Sequence, residues 1–322
     1  MSEPPSSRLP ELNQPVENGT PKRPLPGVAL LPSIATLGNL ICGVMAIVCS
    51  LLAMRAAYFA DAPPRAHPNL EAWFPTYIAV GAYLVVLAML FDALDGRLAR
   101  MARHTTEFGV QLDSLADVVT FGTAPAILFL TMLLPLAVPP EGEPLVGKTE
   151  WRVGLLGALV YVSCAAIRLA RYNAENVKEE AAQMRFCGLP VPGAAAGMVA
   201  LLVLHEDLVF EQAALWGVDW ASLVRQATGV IAFLLGLLMI SRLDYVHVFN
   251  RYMRREQPLW HLVTFVVMIG IGLFSPQILL VVLAAVYVFS GVVVWLGHAL
   301  AARSLRPTVI RSLLDDQRLP RN

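Results

Sequence analysis

Charged residues in this chain come in blocks, and the gaps between blocks are long enough to cross a bilayer. No Asp, Glu, Lys or Arg occurs at 28–54, 72–91, 118–140 or 257–302. An apolar stretch of about 18 or more residues without charge reads as a transmembrane helix, because about 20 residues span the hydrocarbon layer. The last stretch has room for two helices, with a turn at Ser275-Pro276. Shorter apolar runs at 153–167, 186–204 and 226–241 add three more. The pattern predicts an all-α, polytopic membrane bundle of about eight transmembrane helices. Residues 1–26 hold seven prolines and no apolar run, which predicts a disordered cytoplasmic tail rather than a signal peptide. Residues 27–302 then form the transmembrane domain, and 303–322 an arginine-rich cytoplasmic tail.

Composition sharpens this picture. The chain is 57% hydrophobic and only 15% charged, where a soluble protein carries about a quarter charged residues. The formal net charge is zero, so nothing points to nucleic acid. With the N-terminus inside and eight spans, 19 of the 24 Lys and Arg residues lie on the inner side. Only Arg55, Arg65, Lys148, Arg152 and Arg225 fall outside. Cytoplasmic loops collect Lys and Arg, so the expected location is the inner membrane of the cell. Cys42, Cys49, Cys164 and Cys187 show no CxxC spacing and read as packing residues. The six histidines form no HExxH-like cluster, and His104 reads as a loop residue.

Chemistry concentrates in one hairpin. Asp92 and Asp95 stand three apart, Asp113 and Asp117 four apart, so each pair shares a helix face. A linker around Thr105 and Gly109 lets the two helices return antiparallel and bring those faces together at the cytoplasmic edge of the bilayer. Ionised side chains are costly in a membrane, and clustered carboxylates repel one another. A divalent cation removes both penalties, and hard oxygen ligands suit magnesium, manganese or calcium. Such ions hold phosphates in turn. Gly96 removes a side chain one turn from Asp92, and Arg100 offers a planar fork for phosphate oxygens. Acids that merely solubilised a loop would not continue onto a segment that turns apolar straight after Asp117. A cation-coupled transporter is the competing class; it calls for carboxylates or broken helices near mid-membrane in several spans.

The series Asp92, Asp95, Gly96, Ala99, Arg100, Gly109, Asp113 and Asp117 resembles the signature of the CDP-alcohol phosphotransferase family at all eight of its positions. The resemblance implies that the first three aspartates, helped by the fourth, bind metal and the CDP group, and that Asp117 is the general base. Gly96, Ala99, Arg100 and Gly109 become CDP-binding positions by the same inference. Further segments are similar to one branch, the bacterial phosphatidylserine synthases: 31–43, 114–125, Arg-Leu-Ala-Arg-Tyr-Asn at 168–173, and Phe-Cys-Gly-Leu-Pro-Val-Pro at 186–192. Ser33 and Glu107 depart from that branch, where asparagine and arginine are common. The implied reaction moves a phosphatidyl group from CDP-diacylglycerol to L-serine with release of CMP, and a homodimer is implied too. Glycerol phosphate, inositol or inositol phosphate stay open as acceptors.

Arg168 and Arg171 share a helix face where a serine carboxylate would need a cation; equally, they fit positive-inside anchors. Thr36 and Asn39, three apart in an apolar helix, are further acceptor candidates, with helix-to-helix hydrogen bonding an equal account.

Overall fold

The computed structural model describes residues 26–59, 74, 76–102, 107–137, 147–176, 188–210, 219–241, 243, 268, 275–291 and 293. Its regular elements are helices, and no strand occurs among the described residues. In order they are α1 (Pro26–Phe59), α2 (Tyr77–Ala102), α3 (Glu107–Asp117), a π-helical segment (Val118–Thr123), α4 (Ala124–Ala137), α5 (Lys148–Asn176), α6 (Val191–Phe210), α7 (Trp220–Ile240) and α8 (Pro276–Gly291). Helices are the expected solution, since hydrocarbon offers no partner to an unpaired peptide group.

Six spans are long and apolar enough to cross a membrane: Ile34–Ala57, Tyr77–Leu98, Phe108–Leu134, Thr149–Ala174, Val191–Val209 and Trp220–Ile240. The third runs unbroken through α3, the π segment and α4, so Asp113 and Asp117 lie inside it rather than at its threshold. The three shorter runs of the sequence are all full spans. Of the two helices expected after residue 257, α8 starts at the anticipated Ser275-Pro276 turn. Residues 257–274, save Met268, lie outside the described residues, as do the N-terminal tail up to residue 25 and the C-terminal tail.

Helices α1 and α2 lie along each other, α5 pairs with α7, and α6 fills the space against α2 and α7. The α5–α7 crossing is made by missing side chains: a Cβ on Gly157 would collide with the Gly229 carbonyl, and one on Gly229 would come 3.1 Å from the Gly154 Cα. Small residues at such seams let membrane helices approach closely, where packing must replace the hydrophobic drive. The core holds Phe121, Leu128, Phe129, Tyr161, Met198 and Leu202, all fully buried. Leu, Ile and Val elsewhere on α1, α5, α7 and α8 face outward, as a lipid-contacting surface requires. Cys42, Cys49 and Cys164 are free and buried, and Cys187 lies outside the described residues.

Candidate active site

The last turns of α2 carry Asp92 and Asp95, and α3 carries Asp113 and Asp117. The helix period puts each pair on one face, and the return of the chain between them sets the faces together. One carboxylate oxygen from each of Asp92, Asp113 and Asp117 lies within 4.8 Å of the others. Asp95 stands beside this trio, buried, its carboxylate taking the Thr36 hydroxyl. Asp117, also buried, accepts a hydrogen bond from Asn39 Nδ2 at 3.0 Å on Oδ1. Helix α1 thus supplies a neutral donor to one acid of each pair. Among the described residues, no lysine or arginine forms an ion pair with any of the four.

Straight after Asp117 the helix widens into the π segment, and Pro125 explains why. Proline lacks an N–H and its ring crowds the carbonyl four residues back, here that of Phe121. The wider turn relieves that crowding, and the Tyr161 hydroxyl of α5 donates at 2.8 Å to the Phe121 carbonyl, which Pro125 has no N–H to meet. The Thr120 hydroxyl donates to the Asn39 backbone carbonyl at 3.2 Å, tying the same segment to α1 beside the Asn39–Asp117 contact. Such π bulges recur at functional sites because they re-aim neighbouring side chains. Thr120 and Tyr161 were not singled out in the sequence; Pro125 inside an apolar run was the signal that could have found them.

A divalent metal fits this donor set. Ligands on one octahedral magnesium, about 2.1 Å from the ion, stand about 3 to 4 Å from each other, so three oxygens within 4.8 Å of one another lie close to that spread. Three hard carboxylates with no cation among the described residues paired to them also present charge that such an ion neutralises.

The other expected residues fall as follows. Around Gly96 a Cβ would meet nothing within 4 Å, so the flank of α2 beside the acids is open. Gly109 is half-buried on α3. Ala99 and Arg100 belong to the last turns of α2, with their side chains outside the described set; His104 and Thr105 lie outside it altogether. The 168–173 segment does reach the acids: Asn173 Nδ2 donates to the Ser114 hydroxyl at 2.9 Å, and Ser114 lies between Asp113 and Asp117 on α3. Arg168 is half-buried, its Nη2 donating to the Gly188 carbonyl at 3.4 Å, whereas Arg171 is exposed. Thr36 and Asn39 are 3% and 0% exposed, and their side chains bond to Asp95 and Asp117.

Residues 29–238 match the CDP-alcohol phosphatidyltransferase family. The chain belongs to that family. Three relatives carry the name CDP-diacylglycerol–serine O-phosphatidyltransferase. The protein of Helicobacter pylori is 29% identical over 220 residues, covering 67% of this chain and 80% of the relative. That of Methanocaldococcus jannaschii is 33% identical over 162 residues, or 50% and 61%. The Bacillus subtilis protein is 30% identical over 179 residues, or 56% and 78%. As a CDP-alcohol phosphatidyltransferase the chain is a multi-pass membrane enzyme of phospholipid biosynthesis, not a transporter. The family generally uses a divalent metal, which agrees with the aspartate trio.

Proposed function

We propose that this enzyme transfers the phosphatidyl group of CDP-diacylglycerol to the hydroxyl of L-serine, giving phosphatidylserine and CMP. The convergence of Asp92, Asp113 and Asp117 carries the reading, because three carboxylates at a helix end are built to engage a diphosphate through metal. The shared name of the three relatives supports serine as the acceptor.

Asp92, Asp95, Asp113 and Asp117 would hold magnesium or manganese, with Asp95 steadied by Thr36. Bound there, the ion would neutralise diphosphate charge as the phosphorus–oxygen bond breaks. The open flank at Gly96, with Ala99, Arg100 and Gly109, receives the CDP group. Asp117 accepts the proton of the serine hydroxyl. Asn39 occupies one Asp117 oxygen and fixes the carboxylate's orientation, which suits a base that must meet one incoming hydroxyl. The serine oxygen bonds to the phosphorus that bears the lipid, the bond from that phosphorus to the CMP phosphate oxygen breaks, and CMP leaves with the electron pair. Arg168, with Arg171 at the exposed side, meets the serine carboxylate. The arginine distribution supports an inner-membrane enzyme with its site facing the cytoplasm, and the family resemblance implies that it acts as a homodimer.

The test is a competition assay. Purified enzyme is incubated with CDP-diacylglycerol and labelled serine, glycerol phosphate, inositol and inositol phosphate. Phosphatidylserine with stoichiometric CMP is the expected product; faster transfer to any of the others reassigns the acceptor.

A further inference from the structure

The Asn39 side chain, which meets Asp117 from helix α1, is held at one point only. Its Nδ2 donates to Asp117 Oδ1 at 3.0 Å, while its buried Oδ1 has no hydrogen-bond partner among the described residues. With no second anchor on the amide, its pose follows from where the α1 backbone stands against the π segment. Thr120 fixes that placement. Its hydroxyl crosses to the Asn39 backbone carbonyl at 3.2 Å, and both residues are 0% exposed.

A threonine inside a helix can satisfy its hydroxyl on the carbonyl four residues back. Thr131 does so with Ile127 at 2.8 Å, and Thr228 with Val224 at 2.7 Å. Thr120 instead gives its hydroxyl to another helix. The Asn39 carbonyl is open to it because of Gly43. In an α-helix the carbonyl of residue 39 faces residue 43, four places on, and a Cβ at Gly43 would collide with the Thr120 hydroxyl. Asp117 and Thr120, three apart in the chain, therefore grip a single residue twice: the carboxylate takes the Asn39 side chain and the hydroxyl takes its backbone.

We propose that Thr120 is a positioning residue for the proton transfer: through the Asn39 backbone, in the space left by Gly43, it sets the amide that orients the Asp117 carboxylate. This role rests on the reading that Asp117 accepts the serine proton. Were the contact only a fastening of α1 to the π segment, its loss would lower the yield of folded enzyme and leave the turnover of each folded site alone.

Steady-state kinetics of the purified full chain, counted per manganese-binding site, decide this. Thr120→Val keeps the shape and removes the hydroxyl; kcat per site should fall about three- to tenfold, the loss of one hydrogen bond. The KM values for serine and CDP-diacylglycerol, and the manganese affinity, should stay at the parent's values, the pattern of an interaction that matters only in the transition state. Thr120→Ser returns the hydroxyl and should return the kcat. Asn39→Ala should lower kcat at least as far, and adding Thr120→Val to it should lower kcat no further. If Thr120→Val keeps the parent's kcat per site while Asp117→Asn loses turnover, the positioning role is wrong and the Asp117 reading stands. Multiplying effects in the double variant would show that Thr120 acts independently of Asn39, which also overturns the proposal. Should Asp117→Asn turn over like the parent, the Asp117 reading fails and the proposal falls with it.

Discussion

A cluster of acids and the single acid Glu206 lie beside opposite ends of helix α2, about 24 Å apart at 1.5 Å per residue, and their surroundings are built on opposite plans. At the far end Thr76 caps α2 by accepting the Ala79 N–H at 3.1 Å, and its hydroxyl donates to Glu206 Oε2 at 2.6 Å. The other oxygen, Oε1, lies 3.1 Å from His205 Nδ1. One carboxylate there has a partner for each oxygen. Among the described residues, the four carboxylates at the near end have two neutral donors, Thr36 and Asn39, and three of the acids converge. An acid whose two oxygens are each met by the protein has less to offer a ligand, and it fastens α2 to α6. A cluster short of donors and short of positive charge is incomplete without a cation. Burial does not separate the two, since Asp117 and Glu206 are 7% and 6% exposed. Partner count does.

The largest effect that tests this contrast is on turnover. Asp92→Asn or Asp113→Asn should lower kcat about a thousandfold or more, equivalent to about 4 kcal/mol of transition-state stabilisation. Glu206→Gln should leave the kcat of the folded enzyme within about threefold, the change expected when only a remote contact is altered. Equal losses at both ends would erase the distinction.

Orientation comes next. In a background lacking the native cysteines, Thr105→Cys near the acids should resist a membrane-impermeant thiol reagent in intact cells and react after permeabilisation. Gly147→Cys, exposed before α5 at the far end, should react at once. The reverse pattern would put the site on the wrong face for a cytosolic substrate.

Much of the near end was legible in the sequence because it is local. Spacings of three and four, within two helices joined by a short linker, dictate which acids share a face, and the convergence of acids from both pairs follows from them. The far end was not legible, because Thr76 and Glu206 are 130 residues apart and neither carries a spacing signal. Nor could spacing show that Asp95 stands beside the trio, since that depends on the Thr36 hydroxyl of another helix. The same holds for Tyr161, which finds the Phe121 carbonyl from 40 residues away. Spans were read from charge-free runs, and several boundaries moved outward where helices extend past the apolar run into partly polar turns, while α6 starts later, at Val191 rather than 186. For α5, Lys148–Asn176 replaces 153–167.

Stability separates the ends more gently. Thr76→Val removes both a helix cap and a donor to a buried carboxylate, and should cost about 2–4 kcal/mol in detergent unfolding with catalysis of the folded fraction intact. Tyr161→Phe removes a hydrogen bond to the buried Phe121 carbonyl and should cost about 0.5–1.5 kcal/mol. It also loosens the π segment behind Asp117, so a modest fall in kcat should accompany it. If Tyr161→Phe were neutral on both counts, the π segment would not depend on that contact.

Manganese binding, followed by electron paramagnetic resonance on chelator-stripped enzyme, tests the trio most directly. Magnesium or manganese should restore the activity that the chelator removes. Saturable manganese binding is predicted for the parent and for Glu206→Gln, and its loss for Asp113→Asn. Full activity in excess EDTA, or manganese bound as tightly by Asp113→Asn as by the parent, would contradict a metal site made by Asp92, Asp113 and Asp117.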